Sequence, residues 1–237
     1  MCRHLENQEI ALTQDTVLTL GILGGTGKEG TGLAMRWANA GYEIIIGSRV
    51  EARAQEAATK ISDKLDGDSV VHGMSNSEAA ERCDIAIISV PYAAHRQTLE
   101  AVKDALQGKI LIDVTVPLDP DDYRRILLPA GTSAGEEAQM LLGDQSKVVS
   151  AFQNIGFSSL KKLDKPFTTD VLVTGNDAEA KQQVIALAAA IGIQAYDVGP
   201  IQNAVAAEGL TAALVNINIQ FKILSSGIRI TGIPNSR

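Results

Sequence analysis

The chain has 237 residues, 45% of them hydrophobic, and a formal net charge of -7. That size allows one large domain, or a medium one with a small companion, around a real core. The acidic balance argues against a nucleic-acid partner, which needs a basic face, and two cysteines, Cys2 and Cys83, give no metal spacing and no disulfide framework.

Residues 1–15 are polar, lack the apolar stretch of a secretion signal and read as a loose N-terminal extension. No run reaches the ~18 consecutive apolar residues of a membrane span. The expected setting is cytoplasmic, with no membrane partner.

Strands and helices then alternate. Thr16 to Leu23 is an apolar, β-branched strand, and Lys28 to Ala40 has helical spacing closed by Gly41. Glu43 to Ile46 (strand), Val50 to Lys64 (helix), Ser69 to Val71 (short strand) and Ser75 to Arg82 (brief helix) follow. Asp84 to Val90 is a strong strand, Ala94 to Gln107 a helix and Lys109 to Asp113 a strand. Leu118 to Gly131 breaks the rhythm as a surface loop. Ser133 and Glu136 suggest a capping box for a helix to Leu142, and Lys147 to Ala151 is the sixth strand. Val171 to Thr174 and Gln194 to Val198 flank a helix over 177–191, and a last long helix runs from Asn203 to Leu224.

This rhythm predicts an α/β fold: a Rossmann, doubly wound, mainly parallel sheet with a small C-terminal α/β domain. The division falls at 16–165 and 166–237, with the second part contributing to the pocket and to a dimer.

The first strand runs straight into a glycine-rich turn in which Gly25, Gly27 and Gly30 satisfy G-x-G-x-x-G. Chemistry asks for these residues: a tight turn, a close backbone approach to a pyrophosphate, and close helix–strand packing. Free N–H groups at the helix start then face the anion. Thr26 adds a hydroxyl there, and Lys28 a charge; each also has a plain reading as turn lining or solvated helix start.

The second strand decides which dinucleotide fits. NAD-selective folds place Asp or Glu at its tip, for the ribose 2′-hydroxyl. Here the tip is Gly47-Ser48-Arg49, and Arg53 follows one helical turn later. A hydroxyl and two guanidiniums suit the 2′-phosphate of NADP. The bland alternative is two exposed arginines opening a surface helix.

The tips at Ser89 to Tyr92, Asp113 to Pro117 and Ala151 to Ile155 should face the nicotinamide. They are poor in acid–base groups. His4 lies in the tail, His72 near the adenine side, and His95 at the start of a helix, where it is expected to be solvated. Asp113 is expected to orient a loop. No catalytic acid or base and no metal ligand is assigned. A carbonyl reductase wants a proton donor near the reacting oxygen. Hydride transfer between two ring carriers needs stacked rings, with the reacting carbons about 3–3.5 Å apart.

The segments "GILGGTGKEGTGLAMRWANAGYEIIIGSR", "DIAIISVPY", "VVSAFQNIG", "VGPIQNAVAAEGLTAALVNIN" and "GIRITGI" resemble NADPH:8-hydroxy-5-deazaflavin oxidoreductases, the NADPH-dependent coenzyme F420 reductase family, from about Leu18 to Ile233. The resemblance implies a dimer and reversible hydride transfer between nicotinamide C4 and deazaflavin C5, with F420 as co-substrate. By motif match, Thr26, Gly27, Lys28 and Glu29 would bind pyrophosphate. Ser48, Arg49 and Arg53 would take the 2′-phosphate, and Val90 would touch NADP. Gln153, Ile155, Phe157 and Gly227, with Ser226, would lie against the deazaflavin. Gln153 replaces a histidine of some members.

Two other readings stand beside this one. The first is an NADPH-dependent imine or carbonyl reductase. The second is a non-catalytic NADP-sensing module, which would bind NADPH tightly and pass its hydride to no acceptor.

Overall fold

The structure, a computed structural model, describes residues 17–65, 69–129 and 132–233. The extension expected over 1–15, with Cys2 and His4, lies outside them. β1 (Thr19–Leu23), β2 (Glu43–Ser48), β3 (Val71–Ser75), β4 (Ile85–Ile88), β5 (Ile110–Asp113) and β6 (Lys147–Ser150) form a parallel sheet. Strand order is β3-β2-β1-β4-β5-β6-β7-β8, so the order reverses between β1 and β4, where this fold opens its ligand crevice. β7 (Val171–Gly175) pairs antiparallel with β6, and β8 (Ala195–Asp197) runs parallel to β7. The expected division near 166 therefore falls where the sheet changes direction, and the later strands extend the same sheet.

Side chains alternate across each strand, and the apolar runs serve both faces. Leu20, Ile22, Ile44, Ile46, Ile87 and Ile112 pack with α1 (Lys28–Asn39), α2 (Glu51–Ser62) and α7 (Ala178–Ala190). Leu23, Ile45, Ile88 and Leu111 face the other way, toward α3 (Asn76–Arg82), α4 (Tyr92–Val102) and α5 (Ala134–Leu142). Cys83 is buried in this second layer, and a Cβ on Gly21 would come within 2.8 Å of it.

Several expectations shift. The third strand is Val71–Ser75 rather than 69–71, because its pairing with β2 carries it to the Ser75 cap. Ser133 accepts the Glu136 N–H, but the Glu136 carboxylate takes the Thr132 hydroxyl, so only half the capping box forms. The loop from Leu118 carries a bridge to Ile126. A helix absent from the sequence reading, α6 (Phe157–Leu160), follows the sixth strand. α8 (Ala204–Phe221) ends at Lys222 in the left-handed region, φ 53°. The stretch Ile201–Phe221 is long and apolar enough to cross a bilayer, yet it includes the fully buried Glu208, and 28% of its most apolar stretch is buried within the chain.

Candidate functional site: two adjoining cavities at the strand tips

The glycine turn is built for close approach. A Cβ on Gly25 would stand 2.7 Å from the Ile22 carbonyl, and one on Gly30 would stand 2.7 Å from Gly25 Cα. Gly27, the N-cap of α1, faces open space, which is the room a pyrophosphate requires above the first turn of a helix. Asn76, at the start of α3, holds the turn from below: its Oδ1 accepts the Gly24 N–H at 3.0 Å. Sequence reasoning missed Asn76. Its signal was the Ser75–Glu78 capping box, which places Asn76 at the tip of β3, and that box forms in full.

Thr26, Gly27, Ser48, Arg49, Arg53 and Val90 gather around one cavity of about 440 Å³, together with Asn76. Ser48 is buried and its Oγ accepts the Val50 N–H at 3.2 Å, leaving its O–H free to donate. Both arginines are exposed at the rim. Glu51, the nearby carboxylate, is held by Gln55 Nε2 at 2.8 Å and does not line the cavity. The donor set fits a 2′-phosphate and lacks the acidic partner of an NAD ribose.

A second cavity, of about 300 Å³, opens on the other side of the turn. Val114, Val116 and Leu118 from the fifth tip and Phe152 and Ile155 from the sixth give it apolar walls, and Leu214 of α8 closes it. Gln153 is fixed rather than mobile: its Nε2 donates to the Asp113 carbonyl at 2.8 Å and to Ser150 Oγ at 2.7 Å. Thr211 donates to the Gln153 carbonyl at 3.0 Å, a contact between α8 and the sixth tip that no local pattern announces. Phe152 has a positive φ of 72° and is buried edge-on against Trp37 at 5.6 Å, so the backbone turns sharply where the tip meets the cavity. Phe157 lies at the mouth with Lys28 Nζ 4.9 Å from its ring centre.

Glu29 departs from the expectation of a phosphate-side residue. Its side chain lines the second cavity, its Oε1 is buried without a hydrogen-bond partner, and burial pushes its carboxyl up to about 8. Gln153 Oε1, in the same cavity, is also buried and unpartnered. Two orphaned polar atoms in a chamber with apolar walls and a few polar handles are what a planar heteroaromatic ligand with its own polar edge would satisfy.

Gly227 is not brought to this chamber. It lines a separate cavity of about 260 Å³ with Thr169, and a Cβ there would fall 2.3 Å from Thr169 Oγ1. The glycine lets residues 225–230 fold back, with Ile228 N donating to Thr169 Oγ1 at 3.0 Å and Ile230 N to Asp170 Oδ2 at 2.7 Å. Ser226 borders both cavities.

His95 corrects the expectation of a solvated side chain. It is 1% exposed, because α5 covers that face of α4. Asn216 anchors α8 by donating to the Arg124 carbonyl at 2.8 Å, and Asn203 donates to the Val198 carbonyl at 2.6 Å.

Sheet order, glycine turn and strand-tip donors define a Rossmann protein built for NADP, with a second ring-sized chamber beside the nucleotide. A family model described as NADP oxidoreductase, coenzyme F420-dependent, matches residues 19–117. The F420-dependent NADP reductase of Methanothermobacter marburgensis is 40% identical over 223 residues, 92% of this chain and 100% of that protein. That of Methanocaldococcus jannaschii is 41% identical over 223 residues, 91% of this chain and 99% of its own. A crystal structure of a protein from Arthrobacter sp. FB24, assigned as an F420-dependent NADP-reductase, superposes with a TM-score of 0.77 at 26% identity, covering 91% of this chain and 100% of that one. The chain belongs to the F420-dependent NADP reductase family.

Proposed function

We propose that this chain catalyses reversible hydride transfer between NADP(H) and the deazaflavin coenzyme F420. The observation that carries this reading is the apolar chamber walled by the fifth and sixth strand tips, next to a turn and strand tip suited to NADP. The cofactors supply the redox chemistry when bound, a hydride passing between nicotinamide C4 and deazaflavin C5 with one proton exchanged.

The protein's part is binding, orientation and exclusion of water. Gly27 and Gly30, with Thr26 and Lys28, present backbone and side-chain donors to the pyrophosphate, while Gly25, whose N–H is held by the Ile22 and Gly47 carbonyls, shapes the turn. Ser48, Arg49 and Arg53 hold the 2′-phosphate, and Val90 packs on the nucleotide. Gln153, Ile155 and Phe157 form the deazaflavin face. Gly227 acts indirectly, by letting the 225–230 segment close over the chamber rim.

The working form in this proposal is a cytoplasmic homodimer. Ile219, Phe221 and Leu224 stand 57%, 64% and 80% exposed on and just after α8, and a second copy of that face would cover them. Two soluble small-molecule cofactors suit a cytoplasmic setting.

The test is the visible absorbance of oxidised F420 with purified protein and NADPH, NADH run in parallel. Bleaching with NADPH and little with NADH is the expected result. Measurable NADPH binding without bleaching would redirect the search to imine and carbonyl substrates.

A further inference from the structure

The second residue of α1 is an acid in an awkward place. Helix N-termini favour carboxylates, but this one turns away from solvent into the ring chamber, where its Oε1 meets no donor. The first turn of α1 is also where the proposed pyrophosphate sits, bringing further negative charge to the same helix end. Among the described residues, no cation pairs with the Glu29 carboxylate itself. Lys28 and Lys161 both stand over the Phe157 ring, and Arg36, on the same helix as Lys28, is committed to main-chain carbonyls of α6 and of Lys162 after it. Among the described residues, the strand tips and α8 contribute no titratable group to the chamber lining, where Glu29 is the ionisable side chain.

We propose that NADP binding loads a proton onto Glu29, and that the neutral carboxyl then serves as the hydrogen-bond donor of the ring chamber. The inference rests on reading Thr26 to Gly30 as the pyrophosphate cradle. Without that proton the chamber presents two orphaned acceptors, Glu29 Oε1 and Gln153 Oε1, and neither can satisfy the other. With it, one acceptor becomes a donor and the like-charge contact with the pyrophosphate disappears. The raised affinity of this carboxyl for protons in the ligand-free fold, where burial already holds it at about 8, means that only a modest further shift is needed.

The experiment is calorimetric titration with NADP+ alone, between pH 7 and 9.5, in buffers of different ionisation enthalpy. The 2′-phosphate itself titrates near pH 6, at about the second pKa of other phosphate monoesters, and so stays out of this window. The wild type should take up part of a proton per site, most of it above pH 8 where the ligand-free carboxyl ionises, with affinity falling there by less than about tenfold per pH unit. Glu29→Gln should bind NADP+ with no such slope and no uptake. A protonated-carboxyl infrared band that grows on adding NADP+ to the wild type gives a second readout, which does not depend on the variant folding. Binding without proton uptake, or the same uptake in Glu29→Gln, overturns the inference. Absence of any NADP+ binding would instead overturn the nucleotide-site reading beneath it. Failure to bleach F420 affects neither isotherm.

Discussion

His95 Nε2 lies 2.7 Å from Asp113 Oδ2, and the two side chains are 2% and 0% exposed. The pair links α4 to the tip of β5, and the same aspartate accepts the Thr115 N–H at 2.9 Å while its carbonyl holds Gln153. One buried ion pair thus ties a Rossmann helix to the floor of the ring chamber. Nearby, Glu208 of α8 accepts the Ala134 and Gly135 N–H groups at 3.0 and 3.1 Å, which fixes the start of α5.

These groups set the pH dependence of stability. Burial alone would lower the His95 pKa, but the charge of Asp113 and its hydrogen bond outweigh that and raise it. A raised histidine stabilises the fold fully below its unfolded value, about 6.5, and loses that contribution as pH climbs through the folded value. Burial likewise raises Glu208 to about 7 from an ordinary 4.5, so the folded form again holds the extra proton and stability falls across that interval. Urea melts should therefore show stability falling from about pH 5 upward. His95→Leu, which strands the Asp113 charge, should cost about 3–5 kcal/mol. A cost within about 0.5 kcal/mol, typical of a surface histidine, would remove the pair from the account.

Arg36 gives a second prediction. Its Nε donates to the Leu160 carbonyl at 2.8 Å and its Nη2 to the Ser159 carbonyl at 2.9 Å and to that of Lys162, while the guanidinium lies 4.4 Å from the Phe167 ring centre. A planar fork is required for this, and an ammonium cannot reproduce it. Arg36→Lys should lower stability by about 1.5–3 kcal/mol, the worth of a charge-assisted hydrogen bond. Because the strapped segment carries Phe157, KM for F420 should rise more than KM for NADPH. Equal changes in both would detach the strap from the ring chamber.

The strand-tip arginines give a third. Arg49→Ala should weaken NADPH by about ten- to a hundredfold, through loss of one charge-assisted contact, and leave NADH nearly unchanged. Fluorescence titration with both nucleotides reads this directly. Equal losses for the two would show that Arg49 does not meet the 2′-phosphate.

The exposed end of α8 gives the last. Phe221→Glu and Leu224→Glu, alone or together, should shift sedimentation from dimer to monomer without changing the fold of the nucleotide half. Sedimentation of the wild type as a monomer at micromolar concentration would leave that apolar face needing another occupant.

The parts legible in the sequence were those with a local physical cause. Alternating apolar runs bury on both sheet faces, so β1, β2, β4, β5 and β6 were readable within a few residues. Gly25 and Gly30 mark a turn in which a Cβ would clash with backbone, Gly27 leaves the room above it, and the missing acid at the tip of β2 already pointed to NADP. Phe157–Leu160 was missed because four residues carry no helical period, and the shift of β3 followed from pairing with β2 rather than from its own composition.

What the tertiary structure alone decided was the aim of individual side chains. Glu29 looked like a phosphate-side residue of the glycine turn, and packing turned it into the ring chamber. His95 looked solvated until α5 covered its face of α4, and Asp113 then held it as a partner. Gly227 had matched a ring-binding segment, and the fold spends it on a close pass by Thr169 instead. In each case the determining contact comes from an element distant in sequence, and a periodic pattern records only which face is buried, not what stands opposite it.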